Sequence, residues 1–371
     1  MKSSICRAAV ICSVLGIPLC SASDDRSGSF IGPMHVIKAH ASTVPKNGDV
    51  NPYGVAVVRR GVGELRDDHV LVSNFNNANN LQGTGTTIVQ VSPGDGSSKL
   101  FAQIDPSHLP GSCPGGVGLT TALVVLRSGW VIVGSLPTTD GSAATAQAGC
   151  LLVLNSSGTV VETLSGGDIN GPWDMTALDM GSTAVLFVTN VLNGTVAARP
   201  GTVTNGTVLR IVLSIPGGGA APTEVSRTII GSGFGERTDP AALVIGPTGL
   251  GLGANGTLYV ADTLGNRIVA IPDAATRTTT AGTGTMISGG IGLNGPLGLA
   301  IAPNGDILTV NANDGNMVET TPGGKQVAVK GVDVTGTGGG TLFGLAIRPN
   351  DESVYFVNDG NNTLDLLHEG E

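Results

Sequence analysis

The sequence predicts an all-β fold, a six-bladed β-propeller, and three observations carry that expectation. Short β-branched runs punctuated by Gly, Asn, Asp and Pro fill the chain, and no long amphipathic helical stretch interrupts them. Glycine is abundant, 58 of 371 residues, which is the supply that many tight turns require. Most telling, one strand–turn–strand pattern recurs at roughly blade-length intervals, the signature of a radially repeated architecture.

The elements follow in chain order. Residues 1–22 differ from everything after them: Lys2 and Arg7 supply a positive start, Ala8 to Leu19 an apolar run, and Cys20-Ser21-Ala22 small residues at a cleavage position. This reads as a secretory signal peptide cut after Ala22, too short to be a membrane span, so a secreted or periplasmic protein is expected. No later segment reaches 18 uninterrupted apolar residues, and no membrane span is expected. Residues 23–50 form an N-terminal segment in which MHVIKAHAS, at 34–42, is strand-like but has no hairpin partner nearby. Residues 51–371 carry the repeat.

The repeat is clearest at 246–271 (GPTGLGLGANGTLYVADTLGNRIVAI), 295–320 (GPLGLAIAPNGDILTVNANDGNMVET) and 342–367 (LFGLAIRPNDESVYFVNDGNNTLDLL). Each has a small-residue strand, a tight Asn-Gly or Pro-Asn turn, and a β-branched strand ending in Asn or Asp. A polar turn and a third strand follow. Asn-Gly pairs favour two-residue hairpins, so the first two strands pair antiparallel. Fainter copies start at 51, 116 and 171, and anchoring every copy on the position of Gly298 gives Gly54, Thr121, Asp174, Gly249, Gly298 and Gly344. The small residues on this strand suit six innermost strands crowding around one axis. After Gly344 the chain is long enough for three more strands, not four, so the 34–42 strand is expected to complete the last blade and leave no open edge.

This pattern resembles the NHL repeat, with VADTLGNRI carrying its whole signature and the first three copies matching more loosely. The resemblance spans residues 51–371. It implies a propeller and no particular activity, because propellers host unrelated functions.

Hairpins between the first and second strands lie on one face of such a ring; loops between the second and third strands lie on the other. The first set is short. The second is long in three blades, at 73–87, 134–149 and 189–207, and long loops on a rigid scaffold are where binding residues concentrate. A protein, glycan or small-molecule ligand is therefore expected on the long-loop face of a monomer. On that face the second strands are expected to end in Asn74, Asn190, Asp262, Asn313 and Asp359. As oxygen ligands they suit a cation such as Ca²⁺; as turn residues they cap their own loops. Asp174 replaces the inner-strand glycine, which directs a carboxyl into the channel near its mouth, beside Trp173 as an apolar wall. It is a candidate metal ligand or general base. Cys113 and Cys150 are the two cysteines beyond the signal, and in an oxidising compartment they are expected to pair and pin the 134–149 loop.

Other classes are disfavoured. The net charge is −9 with no basic stripe, which argues against a nucleic-acid partner. GLGANG (251–256) and GIGLNG (290–295) open no helix, the five histidines share no metal-ligand spacing, and no GxSxG elbow occurs. Asn-Gly-Thr at 193, 205 and 255 reads as hairpin turns. The sequence thus points to an exported binding or scaffold module with no certain cofactor. A second reading is a divalent-metal-dependent lactonase or ester hydrolase, similar to the gluconolactonase and senescence-marker propellers. Those hold a cation in the channel with Glu, Asn and Asp. Here only Asp174 sits at an inner-strand position of that type, and the first blade has Asn51-Pro52-Tyr53-Gly54 with no Glu.

Overall fold

The computed structural model describes residues 28–336, 339–349 and 353–370. The signal segment, 1–22, lies outside the described residues, as does the Asn350-Asp351 turn of the last blade. The first strand is β1 (Val36–Ser42). Blade one is β2 (Val50–Val57), β3 (Val70–Asn76), β4 (Thr87–Val91) and β5 (Ser98–Gln103). Blade two is β6 (Leu119–Val125), β7 (Val131–Ser135), β8 (Cys150–Leu154) and β9 (Val160–Ser165). Blade three is β10 (Pro172–Asp179), β11 (Thr183–Asn190), β12 (Val203–Ser214) and β13 (Thr223–Asp239), extended by a short β14 (Leu243–Ile245). Blade four is β15 (Pro247–Leu252), β16 (Leu258–Asp262), β17 (Arg267–Ile271) and β18 (Thr285–Gly289). Blade five is β19 (Pro296–Ile301), β20 (Ile307–Asn311), β21 (Asn316–Thr320) and β22 (Gln326–Gly331). Blade six is β23 (Leu342–Ile347), β24 (Val354–Asn358) and β25 (Thr363–His368), with β1 as its outer strand.

The ring closes as expected. β1 pairs antiparallel with β25 from Val36 opposite His368 to Ser42 opposite Thr363, with one irregularity at Ala39–Ala41. The segment before it is also anchored: Ser29 Oγ and the Phe30 and Ile31 amides all donate to the Glu319 carboxylate of blade five. Ile31 and Met34 are buried among Leu308, Val310 and Phe356.

Successive strand residues point to opposite faces of a sheet, and here both faces of the inner three strands are covered by neighbouring blades. Leu71 packs between blades one and two, while Val70 and Val72 on either side of it pack toward blade six and the axis. β3, β7, β16, β20 and β24 are consequently buried along their whole length. The motif glycines mark where inner strands touch. A Cβ on Gly298 would lie 1.9 Å from the Phe343 carbonyl oxygen, and one on Gly344 would lie 2.2 Å from that of Tyr53. Hydroxyls stitch the same seam: Ser73 Oγ donates to Thr120 O, Thr189 Oγ1 to Thr248 O and Thr263 Oγ1 to Pro296 O, each across to the next blade.

Two features depart from the expected plan. β13 is 17 residues long, overshoots the edge of its blade and turns back through β14, so blade three carries a fifth strand. The Asn193 and Asn205 motifs are not hairpin turns. Each side-chain amide donates to the other residue's carbonyl across the 191–202 loop, whereas Asn255-Gly256 is the tight turn expected, closed by Gly253 N on Thr257 O.

Candidate functional site

The inner strands run from the long-loop face to the hairpin face, and the channel between them divides in two. At its long-loop end, residues just before the motif position fill the axis. The Tyr53 and Phe343 rings stack at 3.8 Å, Phe75 stacks on Tyr53 at 4.4 Å, and Trp173 leans against both Tyr53 and Phe343 at 6.3–6.4 Å. The β13–β14 hairpin seals this plug: Leu243, Val244 and Ile245 are buried against it, and Trp173 Nε1 donates to Val244 O at 3.1 Å.

Beyond the plug lies a cavity of about 370 Å³ that opens past the exposed Arg59 on the hairpin face. Its walls are mainly aliphatic, including Val57, Val125, Leu252, Ile301 and Ile347, with Thr121 and Asp174 at the inner end. This corrects the expected placement of Asp174. Its side chain does enter the channel, but under the plug rather than at the long-loop mouth, because Trp173 and the overshooting hairpin occupy that mouth. Asp174 Oδ2 accepts from Leu250 N at 2.9 Å, so the carboxyl replaces, in blade three, the backbone contact that glycine permits elsewhere. Burial raises its pKa to about 7, against the lowering pull of the Leu250 and Met175 amides.

The second-strand termini are held by hydrogen bonds within the protein, Asp262 in its own turn and Asn74 and Asn190 to neighbouring segments. Asn74 Nδ2 donates to Thr43 O and Thr87 Oγ1, Asn190 Oδ1 accepts from Asn170 N, and Asp262 accepts from Gly265 N and from Arg267 Nε at 2.7 Å. Cross-strand register shows that the equivalents in blades five and six are Asn311, opposite Pro296, and Asn358, opposite Leu342. Asn313 and Asp359 lie one or two residues past the strand ends. Asn313 is exposed and donates to Asn294 Oδ1. Asp359 is half-buried, its pKa raised to about 7 by burial and then by the nearby Asp333 charge. The five therefore form no common centre, and each is tied into its own loop or cleft.

The long loops are built rather than loose. Asn77 Oδ1 accepts from the Asn79 and Leu81 amides, and Thr138 bridges blades by bonding Gly83 O through its amide and Gln82 O through its hydroxyl. A 3₁₀ turn at Ala143–Thr145 is capped by Ser142, and a single helical turn, α1 (Thr195–Ala198), lies in the third loop. The Cys113–Cys150 disulfide forms as expected, with 5.2 Å between Cα atoms, and holds the entry to blade two against the end of the 136–149 loop. Gln82 Nε2 donates to Pro240 O, linking the first loop to the capping hairpin. Two polar clefts flank that hairpin. One, about 360 Å³, lies toward blades four and five with Arg237, Asp239, Asn294 and Asn313 on its walls. The other, about 380 Å³, lies between blades one and six and is lined by Asn51, Asn76, Asn80, Gln82, Asp359 and Asn362.

Sequence reasoning missed the capping hairpin and the amide-lined cleft. The 75-residue interval before Gly249 and the apolar AALVI run at 241–245 were the available signals for the first, and the NNANNLQ tract at 76–82 for the second.

Fold and site together define a six-bladed propeller with a sealed channel mouth and a built-up loop face. No protein-family model matches this sequence, and no curated protein matches it either. Solved structures do. The chain is similar to a gluconolactonase from Xanthomonas campestris (TM-score 0.54, 11% identity, covering 92% of this chain and 91% of that one). It is equally similar to the calcium-binding protein regucalcin from Agrobacterium tumefaciens (TM-score 0.54, 14% identity, 89% and 95% covered). A PQQ-bound aldose sugar dehydrogenase from Streptomyces coelicolor also matches (TM-score 0.54, 15% identity, 90% and 97% covered). At these identities the likeness establishes the fold, and the three chemistries named differ.

A channel cation of the kind the lactonase reading implies does not fit these residues. Among the described residues Asp174 is the one carboxyl lining the cavity, it already accepts from Leu250, and the mouth above it is packed with aromatic rings. Among the described residues no group of three or more His, Cys, Asp or Glu is placed to hold a metal.

Proposed function

We propose that this chain is an exported, NHL-like binding propeller whose loop face holds a protein, glycan or small-molecule ligand. One observation carries the reading: the first two long loops and the β13–β14 hairpin are bonded to one another into a rim, and polar clefts open in that rim rather than in the channel mouth. The disulfide supports an oxidising destination, and no helix among the described residues is long and apolar enough to cross a membrane. Cleft walls of amides and hydroxyls suit a ligand rich in hydroxyl groups, so a glycan array is the direct test. Hits are expected to weaken at least ten-fold in an Asn294→Ala/Asn313→Ala variant and to persist in Arg59→Ala, which alters the opposite face. Binding that follows Arg59 instead would overturn the assignment.

The second reading, a lactonase or ester hydrolase, is favoured by the gluconolactonase and regucalcin among the structural neighbours and by the Asp174 carboxyl in the channel. Lactone hydrolysis by the mature protein that disappears in Asp174→Ala would establish it over the binding reading.

A further inference from the structure

The cleft between blades one and six holds oxygen atoms that the protein leaves unused. Asn51, Asn76 and Gln82 line it, and each has a buried side-chain oxygen with no hydrogen-bond partner. Asn51 and Asn76 are 6% and 2% exposed. Their neighbours fix which end is free. Gln82 Nε2 donates to Pro240 O, a carbonyl that can only accept, so Oε1 is the unpaired atom. Asn76 Nδ2 donates to Asn80 Oδ1 at 2.7 Å, again leaving its oxygen. Asn362 Oδ1 is occupied by the Asn51 backbone N–H, also at 2.7 Å. On Gln82 and Asn76 the side-chain donors are thus spent on protein partners while the acceptors remain. Asp359 adds a carboxyl to the same walls, and among the described residues no Lys or Arg lines the cleft to balance it.

Buried acceptors without donors are costly, and a water or sugar hydroxyl satisfies one or two at a time. A hard cation satisfies all of them together. Neutral amide oxygens combined with a carboxylate are the donor types that Ca²⁺ takes, and few carboxylates place such a site at the weak end of the Ca²⁺ affinity range. We propose that this cleft is a calcium-ion site, with Asn51, Asn76, Gln82 and Asp359 as its ligands. It is distinct from the channel, where Asp174 lies beneath the aromatic plug. The site also joins the β2 strand and first loop of blade one to blade six, across the seam where the ring closes. The proposal deepens the loop-face reading by naming one ligand there, and its test needs no glycan or protein partner.

The experiment is calorimetric titration of the chelator-treated mature protein with CaCl₂, with MgCl₂ and glucose as parallel arms, alongside thermal melts. One equivalent of Ca²⁺ is expected to bind and to raise the melting temperature. Asp359→Asn should weaken binding at least ten-fold. Asn51→Gly is the second variant: Asn51 has φ +62°, which glycine adopts readily, so the substitution removes only the amide and should weaken binding several-fold. No binding and no thermal shift up to about 10 mM Ca²⁺, beyond the range of weak oxygen sites, overturns the proposal. So does Ca²⁺ binding undiminished in both variants, or heat from glucose and not from Ca²⁺. Ca²⁺ binding lost in Asp174→Ala but kept in Asp359→Asn would also overturn it, and would revive the channel reading. Failure of the glycan array leaves the calcium result standing.

Discussion

At Asp174 a single side chain substitutes for a contact that glycine makes elsewhere, and its two obvious replacements separate its roles. Asp174→Ala leaves the buried Leu250 amide without an acceptor, which is expected to cost about 1–3 kcal/mol. Asp174→Asn keeps an oxygen for that amide and removes the titration, so its melting temperature should exceed that of Asp174→Ala at every pH. Equal melting temperatures for the two would mean that the Leu250 bond contributes nothing. The disulfide is the second residue-scale test. It spans 37 residues, for which chain entropy gives about 4 kcal/mol, so a Cys113→Ser/Cys150→Ser protein should shift markedly toward unfolding in urea titrations. The pairing was legible because only two cysteines lie beyond residue 22 and both flank one blade. The direction of Asp174 was legible from its place in the repeat. Its depth was not, because what covers it comes from 70 residues further along the chain, in a hairpin with no repeat signature.

Among the elements, β1 does the most for its length. It supplies the outer strand of blade six, and the residues just before it pack under blades five and six and bond Glu319. A chain starting at Asn47 would expose the β25 edge and uncover Leu308 and Phe356. It is expected to melt well below the mature protein or to aggregate, as followed by circular dichroism and light scattering. An unchanged melting curve would show that closure by β1 is dispensable. This strand could be read from the sequence by counting, since three strands remained where a blade needs four. Second-strand termini were only half legible. Asn74, Asn190 and Asp262 fell on register, but in blades five and six several Asx residues lie in a row, NAN and NDG, and only the pairing with Pro296 and Leu342 selects Asn311 and Asn358. The β13–β14 hairpin left only a long interval and the AALVI run as signals, and its place over the channel was not legible, because an irregular excursion has no periodicity.

Over the whole ring, interlocked blades bury carboxyls that a looser fold would leave in water, and this sets the response to pH. Burial raises Asp174, Glu236 and Asp359 to about 7 each and Asp365 to about 6. Asp306 rises to about 6 through burial and then through Glu319. In each case the folded value lies above the unfolded one, so the folded state holds more protons between about pH 4 and pH 7. Stability from these groups is complete below the unfolded values and is lost as pH climbs through 6 and 7. Each pH unit separating folded and unfolded values is worth about 1.4 kcal/mol, so the buried Asp174, Glu236, Asp359 and Asp365 together amount to at least several kcal/mol. The opposing groups act elsewhere or weakly: Asp140, lowered by Thr145 and Ser142, and Glu319, lowered against its burial by the Ser29, Phe30 and Ile31 donors, act on the acid side. Asp95 and Asp105 are exposed and held at about 2 by hydrogen bonds from Ser97 and Ser107, so their contribution is lost only in strong acid. His69, lowered by burial and then by Arg66, favours the fold as pH rises through 6.5, and it is one group against five. In chelator-containing buffer the mature protein is therefore expected to melt at a higher temperature at pH 5 than at pH 8. An Asp174→Asn/Asp359→Asn variant should show a flatter dependence, because two of the contributing carboxyls are gone. A melting temperature that stays level or rises from pH 5 to pH 8 in the unsubstituted protein would show that these carboxyls are ionised in the fold at little cost, hydrated through the channel and the clefts.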